Sequence, residues 1–317
     1  MTTESAFIAR LRALATHPAA RGLLDDAAVL PAPLGRDLVL THDMLVEGVH
    51  FLPDDPPGDV AWKLLTVNLS DLAAKGATPI GVLIGYALAD DAWNEAFLAG
   101  LARALAHFEV PLLGGDTVAS PGPRSLGLTA IGQTAPGLAP ARSGAQAGDR
   151  LWVTGTIGGA GLGLRIARGE IEGPRQLLKA YRLPMPRLAA GQALAPHAHA
   201  MADVSDGLLI DAGRIADASG RAVAIDLAAI PLSPEYLAVA GGNRPARLAA
   251  STAGDDYELL FAAPDSATEA ILILCQPLKL NLTCIGRFSE GAGMTLSDGE
   301  GTVPVPDRLG YEHGAIA

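Results

Sequence analysis

Residues 59–87 read DVAWKLLTVNLSDLAAKGATPIGVLIGYA, and this stretch decides the fold class. Val60, Leu64, Val67 and Leu72 recur at helical spacing, which predicts a helix over 59–75 with one apolar stripe. Gly76 can end that helix, and Pro79 cannot continue it. The run that follows is apolar but too short to span a bilayer, so a strand is expected over 80–87. A helix delivered directly into a strand is the unit of an α/β or α+β chain.

The same alternation extends both ways. Upstream, Phe7, Ile8, Leu11 and Leu14 predict an amphipathic helix over 5–16, and a short strand is expected over 37–41 with Asp43 just beyond its end. Downstream, a helix over 93–107 precedes a strand over 110–113 that runs into Gly114-Gly115-Asp116, and another strand covers 125–133. Residues 134–141 are rich in Ala, Pro and Gly, which places a domain boundary there and gives domains 1–137 and 138–317. In the second half, strands are expected over 151–154, 222–226, 259–262 and 283–287, with a further strand ending at 202–204. Helices are expected over 161–168, 187–194 and 208–218. The last carries Leu208, Ala212, Ile215 and Ala216 on one face, can be capped by Ser205 and stops at Gly220. No internal repeat is visible.

Composition narrows the function. The chain has 317 residues, 49 % of them apolar, so it can bury a large core; aromatics are 4 %, so aliphatic residues must fill it. A formal charge of −11 and the lack of any basic run argue against an electrostatic nucleic-acid binder. Two cysteines, Cys275 and Cys284, cannot frame a metal site and suit a reduced, cytoplasmic protein. The N-terminus lacks the continuous apolar run of a signal peptide.

Acidic side chains end short apolar runs at 24–29, 41–50, 68–74, 113–117 and 203–208. Carboxylates in such places pack poorly and bind hard cations well, and Mg²⁺ in an enzyme usually accompanies a phosphate substrate. A P-loop signature is absent, and the glycines at 155–163 miss the dinucleotide spacing; close helix packing explains them better. Asp203-Val-Ser-Asp206 opens a helix, where free N–H groups and the dipole favour phosphate; Ser205 as a simple cap leaves Asp203 unexplained. Asp71 lies inside a helical pattern, where a carboxylate must be exposed or paired. Asp43 and Asp116 each follow a strand, and Gly114-Gly115 permits close approach of a ligand; singly, a turn-forming Asp explains each as well. Arg142 suits a polyphosphate or a solvated surface equally, and His50 suits an anionic substrate or a structural role.

Taken in order, the motifs resemble the thiamine-monophosphate kinase family, within the ATP-binding superfamily of aminoimidazole ribonucleotide synthetase. The marks are Thr-His-Asp-Met-Leu-Val-Glu-Gly-Val-His-Phe (41–51), Val-Asn-Leu-Ser-Asp-Leu-Ala-Ala-Lys-Gly-Ala (67–77), Leu-Gly-Gly-Asp-Thr (113–117), Arg-Ser-Gly-Ala-Gln-Ala-Gly-Asp (142–149), Asp-Val-Ser-Asp-Gly-Leu (203–208) and Gly-Asp-Asp-Tyr-Glu-Leu (254–259). The resemblance implies transfer of phosphate from ATP to thiamine monophosphate, giving thiamine diphosphate. It implies several Mg²⁺ ions held by Asp26, Thr41, His42, Asp43, Asp71, Asp116, Asp203 and Asp206, with catalysis resting on Asp71, Asp203 and Asp206. Gly115, Asp116, Arg142 and Ser205 match ATP contacts; His50, Asp255 and Tyr311 match substrate contacts. The implied architecture is two α/β domains with ATP in the groove between them. The N-terminal domain's mixed sheet would pair into a barrel across a homodimer. Three departures stand out: Leu24 where the family has Gly, His42 where a hydroxyl is common, and Asp255 where Glu is usual. Other enzymes of the superfamily share the ATP half and differ in acceptor; a non-catalytic nucleotide-binding relative is the reading from a different class.

Overall fold

The computed structural model describes residues 4–24, 27–31 and 33–313. The chain divides into two compact units: 1–72 with 77–137, and 73–76 with 138–317. Within the second unit, Lys75 Nζ donates to the carbonyls of Pro140 (2.9 Å) and Met201 (3.2 Å).

The first unit contains α1 (Glu4–Arg12), β1 (Asp37–Val46), most of α2 (Pro57–Ala74), β2 (Thr78–Leu88), α3 (Asp91–Phe108), β3 (Leu112–Ala119) and β4 (Ser125–Thr134). Its sheet has the order β1-β4-β2-β3. Strands β2 and β3 are parallel and joined through α3; the other pairs are antiparallel. Asp90 caps α3 by accepting the Trp93 N–H at 2.9 Å. Two glycines set how closely α2 and α3 approach: a Cβ on Gly100 would lie 2.3 Å from Gly58 Cα. Phe7, Tyr86, Trp93 and Phe97 stack together beside them. The sheet's other face is bare and carries Leu38, Leu40 and Met44 of β1 and Val118 of β3, all about half exposed or more.

Two strands run further than their sequence suggested. β1 continues to Val46 because β4 pairs with it without a break from Asp37 to Val46. β3 begins at Leu112 and continues through Gly114-Gly115-Asp116 to Ala119, where β2 supplies parallel hydrogen bonds. Asp43 and Asp116 therefore lie inside strands rather than beyond them.

The second unit contains a seven-stranded sheet, β11-β10-β7-β9-β5-β8-β6. Its strands are β5 (Arg150–Thr154), β6 (Ala200–Asp203), β7 (Ala222–Asp226), β8 (Leu259–Ala263), β9 (Leu282–Ser289), β10 (Gly293–Ser297) and β11 (Thr302–Val303). Its helices are α4 (Gly159–Ala167), α5 (Arg175–Arg182), α6 (Leu188–Leu194), α7 (Leu208–Ser219), α8 (Pro234–Ala240), α9 (Arg244–Thr252) and α10 (Thr268–Cys275). Strand residues alternate between two cores, as period-2 side chains must. Leu151, Val153, Ala202 and Leu260 join one core with α4, α7 and α9, while Trp152, Met201, Leu259 and Phe261 join the other with α6 and α10. Among the glycines after β5, Gly163 lets α4 and α5 touch: a Cβ there would sit 2.1 Å from the Leu177 carbonyl oxygen.

Candidate active site

The first unit presents its acids from β1 and α2. Asp71, on α2, accepts a short hydrogen bond from the Thr41 hydroxyl. Two residues along β1, the Asp43 N–H donates to Asn68 Oδ1 at 2.9 Å. Asn68 is fully buried, and its Nδ2 donates to the Leu64 carbonyl at 3.0 Å. This amide ties β1 to α2 at the level of the acids, a role its sequence position did not reveal. Thr41, Asp43 and Asp71 thus share the helix-covered side of the sheet.

His42 and Asp116 do not join them. A Cβ on Gly127 would meet the His42 ring at 3.1 Å, and one on Gly114 would meet Leu83 at 3.2 Å, which fixes the bare face of the sheet on that side. His42 Nδ1 lies 2.9 Å from the Thr129 hydroxyl on this face. Asp116 pairs with Gly85 in β2 and points the same way; its Oδ1 accepts the Thr117 N–H at 2.9 Å. Gly115 points to the helix side, where a Cβ would strike Ile84. Asp26 lies outside the described residues.

His50 follows β1 in a tight turn. Its Nδ1 accepts the Val46 N–H at 3.0 Å, so that nitrogen carries no proton and the neutral ring bears its hydrogen on Nε2. The His50 carbonyl accepts from the buried Lys63 ammonium at 3.1 Å.

In the second unit three segments converge by backbone hydrogen bonds. Val204 N–H donates to Glu258 O, Tyr257 N–H to Val204 O, Asp255 N–H to Ser205 O and Tyr311 N–H to Asp206 O, each at 2.8 Å. Asp203, Ser205, Asp206, Asp255 and Tyr311 are thereby brought to one place, although 108 positions separate the first from the last. Asp203 ends β6 and is buried.

Ser205 is not the cap of α7. The helix begins after Gly207, whose φ is 135°, and the N–H groups of Ser205, Asp206 and Gly207 all point at Asp211 Oδ2, at 3.2, 3.2 and 3.3 Å. The chain's own carboxylate therefore fills the anion position expected at this helix start. Arg214 bridges Asp211 (2.8 Å) and Asp206 (2.5 Å). Burial raises the Asp211 pKa, and the Arg214 charge offsets part of that rise. An Asp in the first turn of α7 was the available signal for this role.

Two further acids follow Asp255. Asp256 accepts the N–H groups of Gly158 (2.8 Å) and Ala160 (3.4 Å) at the start of α4, and loss of hydration pushes its pKa well above 3.8. Glu258 is buried and accepts from Thr154 Oγ1 (2.6 Å), Arg187 Nε (2.7 Å) and Arg187 Nη2 (2.5 Å). Nothing local in the sequence links Arg187 to Glu258, which is 71 positions away. Asp255 adopts φ 69°, a left-handed conformation that Asp tolerates better than most residues.

Arg142 is exposed in a loop set by Ser219, whose hydroxyl accepts the N–H groups of Gly144 (3.2 Å) and Ala145 (3.1 Å). Elsewhere on this unit a cleft of about 830 Å³ is lined by Gly155, Thr156, Leu272, Lys279 and Thr283. None of the candidate acids lines it. Among the described residues no three His, Cys, Asp or Glu side chains are gathered closely enough to hold a metal ion by themselves. Likewise, no described helix is long and apolar enough to cross a membrane.

Known proteins resemble this chain over both units. Residues 24–134 match the AIR synthase related protein N-terminal domain, and residues 146–299 match its C-terminal domain. The chain is 43 % identical to thiamine-monophosphate kinase of Caulobacter vibrioides, over 98 % of this chain and 91 % of that protein. The crystal structure of thiamine-monophosphate kinase from Stenotrophomonas maltophilia is 39 % identical and superposes with a TM-score of 0.83, covering 92 % of this chain and 95 % of that one. A structure described as AaThiL complexed with AMPPCP and TMP is 31 % identical, with a TM-score of 0.77 and 91 % of each chain covered. The chain belongs to the thiamine-monophosphate kinase family of AIR synthase related proteins.

Proposed function

We propose that this chain phosphorylates thiamine monophosphate to thiamine diphosphate with ATP, by direct in-line transfer of the γ-phosphoryl group. The observation that carries the reading is the convergence of 203–207, 254–258 and 310–311, which gathers Asp203, Asp206, Asp255 and Tyr311. The AaThiL structure holding AMPPCP, an ATP analogue, together with TMP supports it. The acceptor is already a phosphate anion, so no base is needed to remove a proton. The obstacle is charge: two unit charges 4 Å apart repel by about 4 kcal/mol at an effective dielectric of 20.

The donors offered are hard oxygens, which suit Mg²⁺ better than zinc, whose sites favour Cys and His. Mg²⁺ takes one or two carboxylates and completes its shell with water and phosphate oxygens. Within the first unit Asp43 and Asp71, with Thr41, and within the second unit Asp203 and Asp206 are the side chains that would hold such ions; Asp116 faces the other side of its sheet, and Asp26 lies outside the described residues. Any part His42 takes is through its carbonyl oxygen, because its ring is turned to Thr129. When bound, the ion neutralises the facing phosphates. The chain's own residues orient: His50 sits in the turn after β1 on the acceptor side of this reading, and Arg142 is exposed to meet the polyphosphate. Asp255 and Tyr311 line the acceptor.

The bare apolar face of the first sheet, with Leu40 64 % exposed, supports a homodimer formed through that face. The experiment that tests the function is incubation of the purified protein with ATP, Mg²⁺ and thiamine monophosphate, followed by chromatography. Equal yields of ADP and thiamine diphosphate are expected. ATP turnover without that product would mean a different acceptor, and trapping of a labelled phospho-protein would exclude direct transfer.

A further inference from the structure

We infer that the ion pair between half-buried Arg187 and buried Glu258 is a positioning device for the acceptor side of the site, holding the loop that carries Asp255. The inference rests on the reading of Asp255 as an acceptor contact.

The loop 254–257 cannot hold its shape from within. Asp255 and Tyr257 both adopt left-handed φ values, 69° and 51°, which L-residues avoid and which bulky side chains such as Tyr rarely adopt. Between their strained backbones, the Tyr257 hydroxyl donates to Asp255 Oδ1 at 3.0 Å, so the two rely on each other. Gly254 leaves no room for adjustment: a Cβ there would lie 2.6 Å from the Ser205 carbonyl oxygen. Such a segment persists where its surroundings over-determine it.

The anchor comes next in the chain. Glu258 receives both arms of the Arg187 guanidinium and the Thr154 hydroxyl, and Thr154 Oγ1 in turn accepts the Leu259 N–H at 2.8 Å. Side chain and backbone at 258–259 are thus fixed to β5 and to the start of α6. From that fixed point the ladder to 204–205 runs through Glu258 O, Tyr257 N and Asp255 N. Gly155 completes the fit: a Cβ there would lie 2.0 Å from Glu258 Oε1, so the carboxylate packs directly against the Gly155 backbone. A buried ion pair contributes little net stability compared with an apolar pair of similar size, whereas its planar two-bond geometry fixes orientation. What the pair adds here is the placement of Asp255.

The test compares wild type with Arg187→Met and with the paired variant Arg187→Met/Glu258→Leu. The paired variant removes both charges together and keeps the measurement possible if the single variant does not fold. We expect KM for thiamine monophosphate to rise about tenfold or more, with KM for ATP within about twofold of wild type. Arg187→Lys, which restores the charge without the fork, should recover only part of the loss. Amide hydrogen exchange in a peptide spanning 253–259 should quicken in the paired variant, because nothing then anchors the loop that holds the 255 and 257 N–H groups against the Ser205 and Val204 carbonyls. Unchanged acceptor KM in a folded variant overturns the inference, as does an equal rise in both KM values. If wild type does not phosphorylate thiamine monophosphate, the acceptor reading fails by itself. The exchange measurement still decides whether the ion pair holds the loop: unchanged exchange overturns it.

Discussion

Gly155→Ala isolates how rigid the Glu258 carboxylate is. Gly155 has φ 58°, and a Cβ there would meet Glu258 Oε1 at 2.0 Å, Cδ at 2.3 Å and Oε2 at 2.6 Å. Two costs add. Holding Ala in the left-handed region costs about 1–2 kcal/mol. Displacing the carboxylate from Arg187 and Thr154 approaches the loss of a buried pair, about 3–5 kcal/mol. Gly220 supplies the control, because it ends α7 with nearly the same φ, 62°, and a Cβ there would meet nothing within 4 Å. Gly220→Ala should therefore show the backbone cost alone. Urea unfolding of both variants, followed by circular dichroism, gives the difference, expected to be about 3 kcal/mol or more. If Gly155→Ala costs no more than Gly220→Ala, Glu258 has room to move and the rigid-anchor argument is wrong.

Three other outcomes follow from single residues. Asp71→Asn should lower kcat on the order of 100-fold while shifting the urea midpoint little, since Asn can still accept from Thr41; a variant that simply unfolds would show Asp71 to be structural. Leu40→Glu should give a monomer by light scattering if the bare sheet face is the dimer contact, and a dimer retained at micromolar protein would place the contact elsewhere. Asp256 has a raised pKa in the folded chain, so its contribution is fully present below 3.8 and is lost as pH rises through the folded value. The stability of wild type relative to Asp256→Asn should accordingly fall from pH 4 toward neutrality, and a rise over that range would contradict the assignment.

The sequence showed where the acids are and not what holds them. The α2–β2 passage was legible because its apolar spacing, Gly76 and Pro79 agree with one another. β1 was cut short at Thr41 because His42 and Asp43 interrupt the apolar run, yet pairing with β4 carries the strand on to Val46. Gly114-Gly115 looked like a loop, and parallel pairing with β2 makes it strand. Helices α5, α8, α9 and α10 escaped notice: α5 and α8 bury few side chains, and proline-rich stretches surround α8 and α9. Among site residues, Asp203 and Asp206 stood out by position, whereas Asn68, Asp211, Arg214 and the Arg187–Glu258 pair act across turns or long separations that spacing alone does not encode. His42 and Asp116 show the converse: adjacency in a motif did not tell which face of the sheet each would take.

How the acids are held bears on how the metal arrives. Asp71 is engaged by a hydroxyl, Asp206 by Arg214 and Asp256 by backbone N–H groups. Each is satisfied by a donor within its own unit, and no three described acids share a pocket. Among the described residues, an ion entering without nucleotide would meet one or two carboxylates at a time and would compete with Arg214 for Asp206. The phosphates of ATP bring additional oxygens and enough negative charge to favour that exchange. Mg²⁺ affinity should therefore be coupled to nucleotide, by a factor on the order of 10 to 100. Calorimetric titration of Mg²⁺ with and without a non-hydrolysable ATP analogue, corrected for metal bound by the free analogue, measures that coupling. Equal affinities would mean the acids already form a site, and the donors seen around them would then be no obstacle. Arg214→Met separates the two contributions: removing the competitor should strengthen the nucleotide-free affinity, and a weakening would show instead that Arg214 holds Asp206 in the ligating position.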